Sequence, residues 1–326
     1  MKIVIPGGTG QLGRVLTRAF RARGDEVVVV GRGRDAAAPE GARFVAWDGR
    51  TLATGDGGGA GWAAELDGAD AVVNLAGRSV DCRYTRANVA AMLSSRVDST
   101  RVVGQAIARA ARPPRVWLQM STATIYAHRF DAPNDEATGR LGGDEPDAPS
   151  TWKTSIDIAR AWEQEQRDAP TPATRKVALR TAMVMSPDPG GVLDVLLRLT
   201  RLGLGGAIAG GQQFISWIHE RDFARAVEHL IDHDTLDGPV NVTSPNPLPQ
   251  RDFMRELRAA WGAPLGLPAA KWMVALGAFF LRTEPELVLK SRRVAPRRLL
   301  ADGFAFEFPE WAAAARELVA RRRGQM

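Results

Sequence analysis

The sequence predicts an α/β protein with a doubly wound parallel sheet, because short apolar runs typical of buried strands alternate with longer segments of helical periodicity. A glycine-rich turn joins the first strand to the first helix, as in sheets that bind dinucleotides. The expected strands cover residues 2–5, 26–30, 43–46, 71–75, 115–120 and 176–179, and the expected helices cover residues 11–23, 87–111 and 156–167.

The turn after the first strand has the spacing of a phosphate-binding loop. Residues 3–13 read IVIPGGTGQLG. Gly8, Gly10 and Gly13 fit the pattern G-x-G-x-x-G, and Gly7, Gly10 and Gly13 fit the wider pattern G-x-x-G-x-x-G. Glycine allows positive φ in the turn, close approach of backbone N–H groups to a pyrophosphate, and tight helix-on-strand packing. The spacing predicts a Rossmann dinucleotide site at Gly7, Gly10, Gln11, Leu12 and Gly13. A glycine turn that binds no nucleotide is the alternative.

The residue after the second strand indicates which dinucleotide is bound. Proteins that prefer NAD usually place an acidic residue there to hold the ribose 2′-hydroxyl, whereas this chain has Arg32. A guanidinium can grip a 2′-phosphate with two hydrogen bonds, so we expect NADP(H) as the cofactor. NAD is the alternative, since the chain is rich in arginine and Asp35 is close by.

A second, smaller unit is expected after the sheet. Glycines and prolines break up the chain from Ser186, and a proline-rich turn after Thr243 leads into a mainly helical tail. We expect a Rossmann domain over residues 1–244 and a small, mainly helical domain over residues 245–326 that covers the substrate. Connections near residues 78–95, 127–150 and 186–216 are expected on the substrate side, because long loops in compact α/β domains are usually functional.

Length and composition describe an ordinary globular protein. The 326 residues are 45% hydrophobic and 25% charged, which is enough to bury a large core. Basic residues outnumber acidic ones by 43 to 37, but only five of them are lysines, and most arginines lie scattered among acids. The charge therefore predicts no nucleic-acid partner.

Cysteine usage and the apolar segments predict a cytoplasmic protein without a membrane anchor. The single cysteine, Cys82, can form neither an internal disulfide nor a thiolate metal cluster. The first apolar run ends at Pro6, too early for a signal peptide. The longest apolar stretch, residues 272–281, falls well short of the ~20 residues that span a bilayer, and we expect a buried helix there. No spacing of His, Asp and Glu predicts a metal site.

Two further motifs resemble those of the extended short-chain dehydrogenase/reductases. Residues 74–77 (NLAG), after the fourth strand, are similar to the N-x-A-G element that these proteins place beside the cofactor. The resemblance implies that Leu75, Ala76 and Gly77 contact the cofactor. Residues 120–126 (MSTATIY) resemble the fifth-strand segment S-S/T-x-x-x-Y of the same proteins.

Motifs along the whole chain resemble a narrower group, the atypical epimerase-like family (nucleoside-diphosphate-sugar epimerase type), whose members carry a small C-terminal domain of unknown function. His219 and Asp222 belong to one of these motifs and are expected to join the two domains rather than to act in catalysis. The motifs are residues 95–96 with Thr100, 162–163, 203–206, 216–219 with Asp222, 293–296 and 303–304.

The acid/base pair of that superfamily, Tyr-x-x-x-Lys, is missing. The chain has two tyrosines, Tyr84 and Tyr126, and neither is followed by a lysine four residues later. By the resemblance, the two positions fall on Ser155 and Ala159. The nearby Lys153 is expected to be a solvated residue ahead of the helix.

The missing pair favours reduction over epimerisation. An epimerase or dehydratase must deprotonate a hydroxyl group, which requires a base, whereas NADPH can reduce a carbonyl when hydrogen-bond donors stabilise the developing alkoxide. Thr122 stands where the superfamily has its hydrogen-bonding Ser or Thr, so we expect it to polarise the carbonyl. Tyr126 is the second candidate donor, at the mouth of the site. Ordinary packing is the alternative for both.

The sequence thus predicts an NADPH-dependent reductase that acts on the carbonyl of a small molecule beneath residues 186–213 and the C-terminal domain. Two alternatives stay open: a protein that binds NADPH without turnover and acts as a sensor or interaction module, and a sugar-nucleotide epimerase. The sequence indicates neither the substrate nor the oligomeric state.

Overall fold

The structure is a computed structural model that describes residues 1–33, 39–52, 61–146, 148–274 and 284–325. Asp35 lies outside the described residues, as do most of the glycine-rich segment 51–60 and most of the apolar stretch 272–281.

A parallel sheet of seven strands forms the centre of the described structure. Its strands are β1 (Lys2–Pro6), β2 (Glu26–Gly31), β3 (Arg43–Ala46), β4 (Ala71–Asn74), β5 (Val116–Thr122), β6 (Arg175–Thr181) and β10 (Gly238–Val242). Their order is β10-β6-β5-β4-β1-β2-β3, and all neighbours are parallel. The strand order reverses between β1 and β4, which is where open α/β sheets bind their ligands.

Four short strands lie outside the main sheet. β7 (Met183–Met185) pairs in parallel with β9 (Trp217–His219), and β8 (Phe214–Ile215) pairs in antiparallel fashion with β11 (Leu248–Pro249). The second pair connects the part of the chain before residue 244 to the C-terminal segment, residues 245–326.

Helices cover both faces of the sheet, and a short 3₁₀ helix, Ala123–Ile125, follows β5 directly. The α-helices are α1 (Gln11–Ala22), α2 (Gly61–Ala64), α3 (Arg86–Arg109), α4 (Ser150–Asp168), α5 (Val192–Arg201), α6 (Glu220–Asp232), α7 (Gln250–Trp261), α8 (Glu286–Leu289), α9 (Arg297–Ala301) and α10 (Trp311–Gly324).

The central strands are apolar throughout because both of their faces are buried. Ile3 and Ile5 of β1 enter a core with residues of α1 and α6, whereas Val4 enters a second core with Trp62 of α2 and residues of α3. The doubly wound sheet predicted from the strand–helix alternation is confirmed.

One expectation about a helix boundary is wrong, and a second expectation, the buried helix over residues 272–281, lies mostly outside the described residues. Helix α4 begins at Ser150, so Lys153 lies in its first turn, where it is half exposed and pairs with Asp157 at 3.0 Å. Residues 271–274 are helical, but Trp272 is 69% exposed and Met273 43% exposed, so the described part of the apolar stretch is not buried.

His219 and Asp222 both bind residues near the C-terminal end of the chain. The buried Asp222 carboxylate accepts hydrogen bonds from the backbone N–H groups of Glu307 and Phe308 at 2.7 and 2.8 Å. The His219 ring nitrogen Nε2 lies 2.9 Å from the Glu317 carboxylate.

The division into domains at residue 244 stays a prediction. Within the described ranges, no helix combines the length and the apolar character needed to cross a membrane.

Candidate functional site

The glycine loop between β1 and α1 is packed too tightly for a side chain at Gly7 and at Gly13. A Cβ on Gly7, where φ is +77°, would lie 2.6 Å from the backbone nitrogen of Ala76. A Cβ on Gly13 would lie 2.0 Å from the carbonyl oxygen of Gly8. The loop therefore touches residues 75–77 after β4, so the two expected cofactor-contacting segments lie side by side.

Gly10 differs, because the space beside it is open. Among the described residues, the nearest atom to a Cβ placed there would be the Gly7 carbonyl oxygen at 3.9 Å. Gly10 is also the N-cap of α1, and no side chain caps the helix at this residue. A helix N-terminus without a side-chain cap and with open space beside it fits the pyrophosphate of a dinucleotide.

Arg32 is exposed immediately after β2, beside the same loop. A Cβ on the preceding Gly31 would lie 3.2 Å from the Thr9 side chain, which shows how closely the end of β2 approaches the loop. Arg32 is therefore placed where a guanidinium can meet a phosphate on the adenosine ribose of a bound dinucleotide.

The side chains of Gln11 and Leu12 have different surroundings. Gln11 lies against Gly191 and donates a long hydrogen bond of 3.4 Å to the carbonyl oxygen of Asp188, so the segment before α5 covers the start of α1. Leu12 is partly buried and packs on the core of the sheet.

A cavity of about 200 Å³ opens at the carboxyl end of β5. We call it the β5 cavity; its walls come from the connection between β4 and α3, from the end of β5, from α3 and α4, and from the C-terminal segment. It adjoins the expected cofactor edge, because a Cβ on Gly77 would lie 3.4 Å from the Arg96 side chain. The lining residues used below are Tyr84, Arg96, Thr122, Ser155, Glu286 and Arg292.

Thr122, the first candidate donor, lines the β5 cavity at the last position of β5. Its hydroxyl oxygen accepts a hydrogen bond of 3.1 Å from the backbone N–H of Thr124. Among the described residues, no acceptor takes the hydroxyl hydrogen. Thr122 can therefore donate a hydrogen bond to a ligand oxygen in the cavity.

Tyr126, the second candidate donor, does not line the β5 cavity. It is 2% exposed, donates to the side-chain oxygen of Asn241 at 2.9 Å and accepts from Arg180 at 3.0 Å. Arg180 in turn forms two hydrogen bonds with Glu163, and burial raises the pKa of Tyr126. The structure favours the packing alternative for Tyr126, which belongs to a buried polar network.

Three residues that sequence reasoning did not assign to the site form a chain of hydrogen bonds at the cavity wall. The Tyr84 phenol oxygen lies 2.9 Å from the Ser155 hydroxyl oxygen, and Ser155 donates to a carboxylate oxygen of Glu286 at 2.7 Å. Burial raises the pKa of both Tyr84 and Glu286. No sequence signal links these residues, because Glu286 follows Ser155 by 131 positions.

Two arginines make the β5 cavity positive. Arg96 is 9% exposed and donates a hydrogen bond of 3.0 Å to the carbonyl oxygen of Met92. Its guanidinium carbon lies over the Trp162 ring, 4.9 Å from the ring centre. Burial lowers its pKa to about 10, so it stays protonated at neutral pH. Arg292 donates to the Thr124 hydroxyl at 3.0 Å. Positive charge in a partly buried cavity stabilises an oxygen that gains electron density.

The three loops expected on the substrate side have different positions. The connection before α3 lines the β5 cavity through Val80 and Tyr84, and the C-terminal segment covers it through Glu286 and Arg292. None of the described residues that line this cavity comes from 127–150 or 186–216, and the expectation that residues 186–213 cover the substrate stays a prediction. Among the described residues, no group of His, Cys, Asp and Glu could hold a metal ion.

Comparisons with known proteins match this architecture over the whole chain. The model of the NAD dependent epimerase/dehydratase family matches residues 3–243, and a domain of unknown function (DUF1731) matches residues 269–318. The epimerase family protein SDR39U1 of Bos taurus is 33% identical over 324 residues, which cover 98% of this chain and 100% of the relative.

Solved structures give the same result. Human epimerase family protein SDR39U1 (isoform 2), crystallised with NADPH, is 30% identical, with a TM-score of 0.82 over 98% of this chain and 99% of that one. The UDP-N-acetylglucosamine 4-epimerase of Bacillus cereus is 17% identical, with a TM-score of 0.72 over 99% and 97% of the two chains, and shares the fold alone.

Proposed function

The chain belongs to the NAD dependent epimerase/dehydratase family, and we propose that it is an NADP(H)-dependent oxidoreductase that reduces the carbonyl of a small molecule. The observation that carries this proposal is the β5 cavity. It lies beside the expected cofactor edge at Gly77 and combines hydrogen-bond donors with two arginines. Such a site stabilises the negative charge that develops on a carbonyl oxygen during reduction.

The cofactor assignment rests on this chain's own residues and on one relative. The open space at Gly10 would take the pyrophosphate, and residues 75–77 would flank the nicotinamide half. Arg32 would bind the 2′-phosphate that distinguishes NADP from NAD. The human relative, crystallised with NADPH, supports this choice.

The chain's own groups would activate the carbonyl. A bound NADPH would supply the hydride. The Thr122 hydroxyl would donate a hydrogen bond to the carbonyl oxygen, and the positive charge of Arg96 would favour the alkoxide. At about 200 Å³, the β5 cavity is smaller than typical ligand pockets of roughly 300–1,000 Å³, which favours a small substrate over a sugar nucleotide.

A second candidate is a protein that binds NADPH without turnover. It is favoured by Ser155 and Ala159, which stand where the resemblance to short-chain dehydrogenase/reductases places the catalytic tyrosine and lysine. Such a protein could sense the reduction state of the cofactor or present a surface that changes on binding.

The test has two stages. NADPH binding is first measured by cofactor fluorescence, with NADH as the comparison. NADPH oxidation is then followed at saturating cofactor with a panel of aldehydes, ketones and keto acids, using Gly10→Ala as the variant that should lose binding. Turnover by the wild type alone supports the reductase. Tight binding without oxidation of NADPH by any compound overturns it in favour of the binding protein.

The epimerase alternative is tested separately. The protein is incubated in D₂O with UDP-glucose and UDP-N-acetylglucosamine, and the sugars are examined by NMR. Inversion or deuterium exchange at a sugar carbon would overturn the reductase proposal, whereas unchanged sugars support it.

A further inference from the structure

We propose that Tyr84 donates the proton in the β5 cavity, and that Ser155 and Glu286 form the relay that resupplies it. The inference rests on the proposed carbonyl reduction. It answers the question that the missing Tyr-x-x-x-Lys pair raises, which is how the product alcohol obtains its proton.

The geometry brings a phenol to the position from which the family's tyrosine is missing. Ser155 occupies the helix position where the resemblance places that tyrosine, and the Tyr84 phenol oxygen lies 2.9 Å from its hydroxyl. Tyr84 and Thr122 line the same cavity. The phenol thus enters from the connection before α3 rather than from α4, and Ser155 links it to the C-terminal segment.

The loop that carries Tyr84 is fixed to the C-terminal segment at two points. The backbone N–H of Tyr84 donates to the Glu284 carboxylate at 2.7 Å, while the phenol reaches Glu286 through Ser155. Thr85 caps α3 through its side chain, which accepts from the N–H of Asn88. These contacts hold the phenol in place, as proton transfer requires.

The surroundings of Glu286 shift its carboxyl group toward the protonated form. It is 2% exposed, and its oxygen Oε1 has no hydrogen-bond partner among the described residues. The Lys290 ammonium group is 3.9 Å away, beyond hydrogen-bond distance. An unpaired oxygen is costlier on a carboxylate than on a neutral acid, so burial favours the protonated form and raises the pKa of Glu286.

The protonation state of Glu286 sets the direction of the hydrogen bonds. With Glu286 ionised, Ser155 donates to it and Tyr84 donates to Ser155, so the phenol hydrogen faces the cavity wall. With Glu286 protonated, the acid donates to Ser155 and Ser155 donates to Tyr84. The phenol hydrogen is then available to a carbonyl oxygen in the cavity.

The step balances for atoms and electrons. The carbonyl carbon accepts a hydride, the π electrons of the C=O bond move to oxygen, and that oxygen takes the proton of the Tyr84 phenol. Tyr84 takes the Ser155 proton, and Ser155 takes the Glu286 proton. The products are the alcohol, oxidised NADP⁺ and the Glu286 carboxylate, which regains a proton from solvent.

The charged groups around the relay set its pH dependence. Glu284, Lys290 and Arg292 face Glu286, and Arg96 faces Tyr84. Because reduction uses the proton of Glu286, we expect kcat to fall as pH rises through the pKa of this group. This pKa lies above that of an ordinary glutamate.

Kinetics of three variants test the roles. Tyr84→Phe should lower kcat for reduction by about 100-fold or more and leave the Kd for NADPH unchanged. Glu286→Gln should lower kcat and abolish its fall with pH, and Ser155→Ala should lower kcat less than Tyr84→Phe does. Full kcat in Tyr84→Phe, or loss of activity in Tyr126→Phe instead, overturns the proposal.

A spectroscopic titration tests the relay without any substrate. With ring-¹³C tyrosine the protein has only two phenol NMR signals, and Tyr84→Phe assigns them. Glu286→Gln should lower the pKa of Tyr84 because a nearby negative charge is removed, and Ser155→Ala should raise it because a hydrogen bond to the phenolate is lost. A Tyr84 pKa that neither substitution moves overturns the relay. If the wild type reduces no carbonyl compound, the proposed function is refuted. The titration does not depend on that result, and it decides whether Tyr84, Ser155 and Glu286 are coupled.

Discussion

The phenol oxygen of Tyr84 lies 2.9 Å from the hydroxyl oxygen of Ser155, the residue that stands where related enzymes are expected to have their catalytic tyrosine. The helix position carries no phenol, but the cavity beside it contains the phenol of Tyr84. A chain without the Tyr-x-x-x-Lys motif can therefore still have a phenol in this cavity.

Replacement of Arg32 tests the cofactor assignment. Because a guanidinium can bind a 2′-phosphate through two charge-assisted hydrogen bonds, Arg32→Glu should weaken NADPH binding by about 100-fold. NADH lacks that phosphate, so its binding should change little. Fluorescence titration with both cofactors gives the two Kd values, and equal losses would remove the assignment.

The glycine loop offers a matched pair of variants. A Cβ at Gly10 meets nothing closer than 3.9 Å among the described residues, so Gly10→Ala should fold with an unchanged Tm and lose NADPH binding. A Cβ at Gly13 would lie 2.0 Å from the Gly8 carbonyl oxygen, so Gly13→Ala should lose about 3 kcal/mol of unfolding free energy. Urea unfolding and fluorescence titration check both. Normal NADPH binding by Gly10→Ala would contradict the pyrophosphate position.

Removal of the Thr122 hydroxyl tests the polarising role. Thr122→Val keeps the shape of the side chain and removes the donor, so kcat should fall about 100-fold while the NADPH Kd stays constant. Steady-state kinetics at saturating NADPH measure the effect. An unchanged kcat would refute a role for Thr122 in the reaction.

Asp222 tests how the C-terminal segment is held. Asp222→Ala leaves the backbone N–H groups of Glu307 and Phe308 without their buried acceptor, which should lower the unfolding free energy by about 3 kcal/mol. Asp232 pairs with Arg23 near the surface, so Asp232→Ala serves as the control and should cost less than about 1 kcal/mol. Similar losses in both variants, measured by urea unfolding, would contradict the account.

The fold and the cofactor loop could be predicted because their signals are local. Alternating strands and helices, together with the spacing of Gly7, Gly10 and Gly13, reflect backbone requirements that act within a few residues. Leu75, Ala76 and Gly77 could be assigned through one motif, and the structure places Ala76 against Gly7.

The proposed proton donor, Tyr84, could not be predicted because its surroundings are assembled from distant segments. Tyr84, Ser155 and Glu286 come from three parts of the chain. Only tertiary packing brings the Ser155 hydroxyl oxygen within 3 Å of both the Tyr84 phenol oxygen and a Glu286 carboxylate oxygen. The sequence makes Tyr126 the second candidate donor, but its partners Asn241 and Arg180 come from other strands and bury it. The resemblance names Thr122, and the structure places it on the wall of the β5 cavity, while its role in the reaction stays a prediction.

Transfer of deuterium from NADPH labelled at C4 tests the central claim most directly. The labelled cofactor is incubated with the protein and a carbonyl compound, and the product is examined by mass spectrometry and NMR. We expect one deuterium on the carbinol carbon for each NADPH oxidised, with transfer at least about 100-fold slower in Tyr84→Phe. NADPH that binds tightly and transfers deuterium to no carbonyl compound would contradict the account and identify a binding protein.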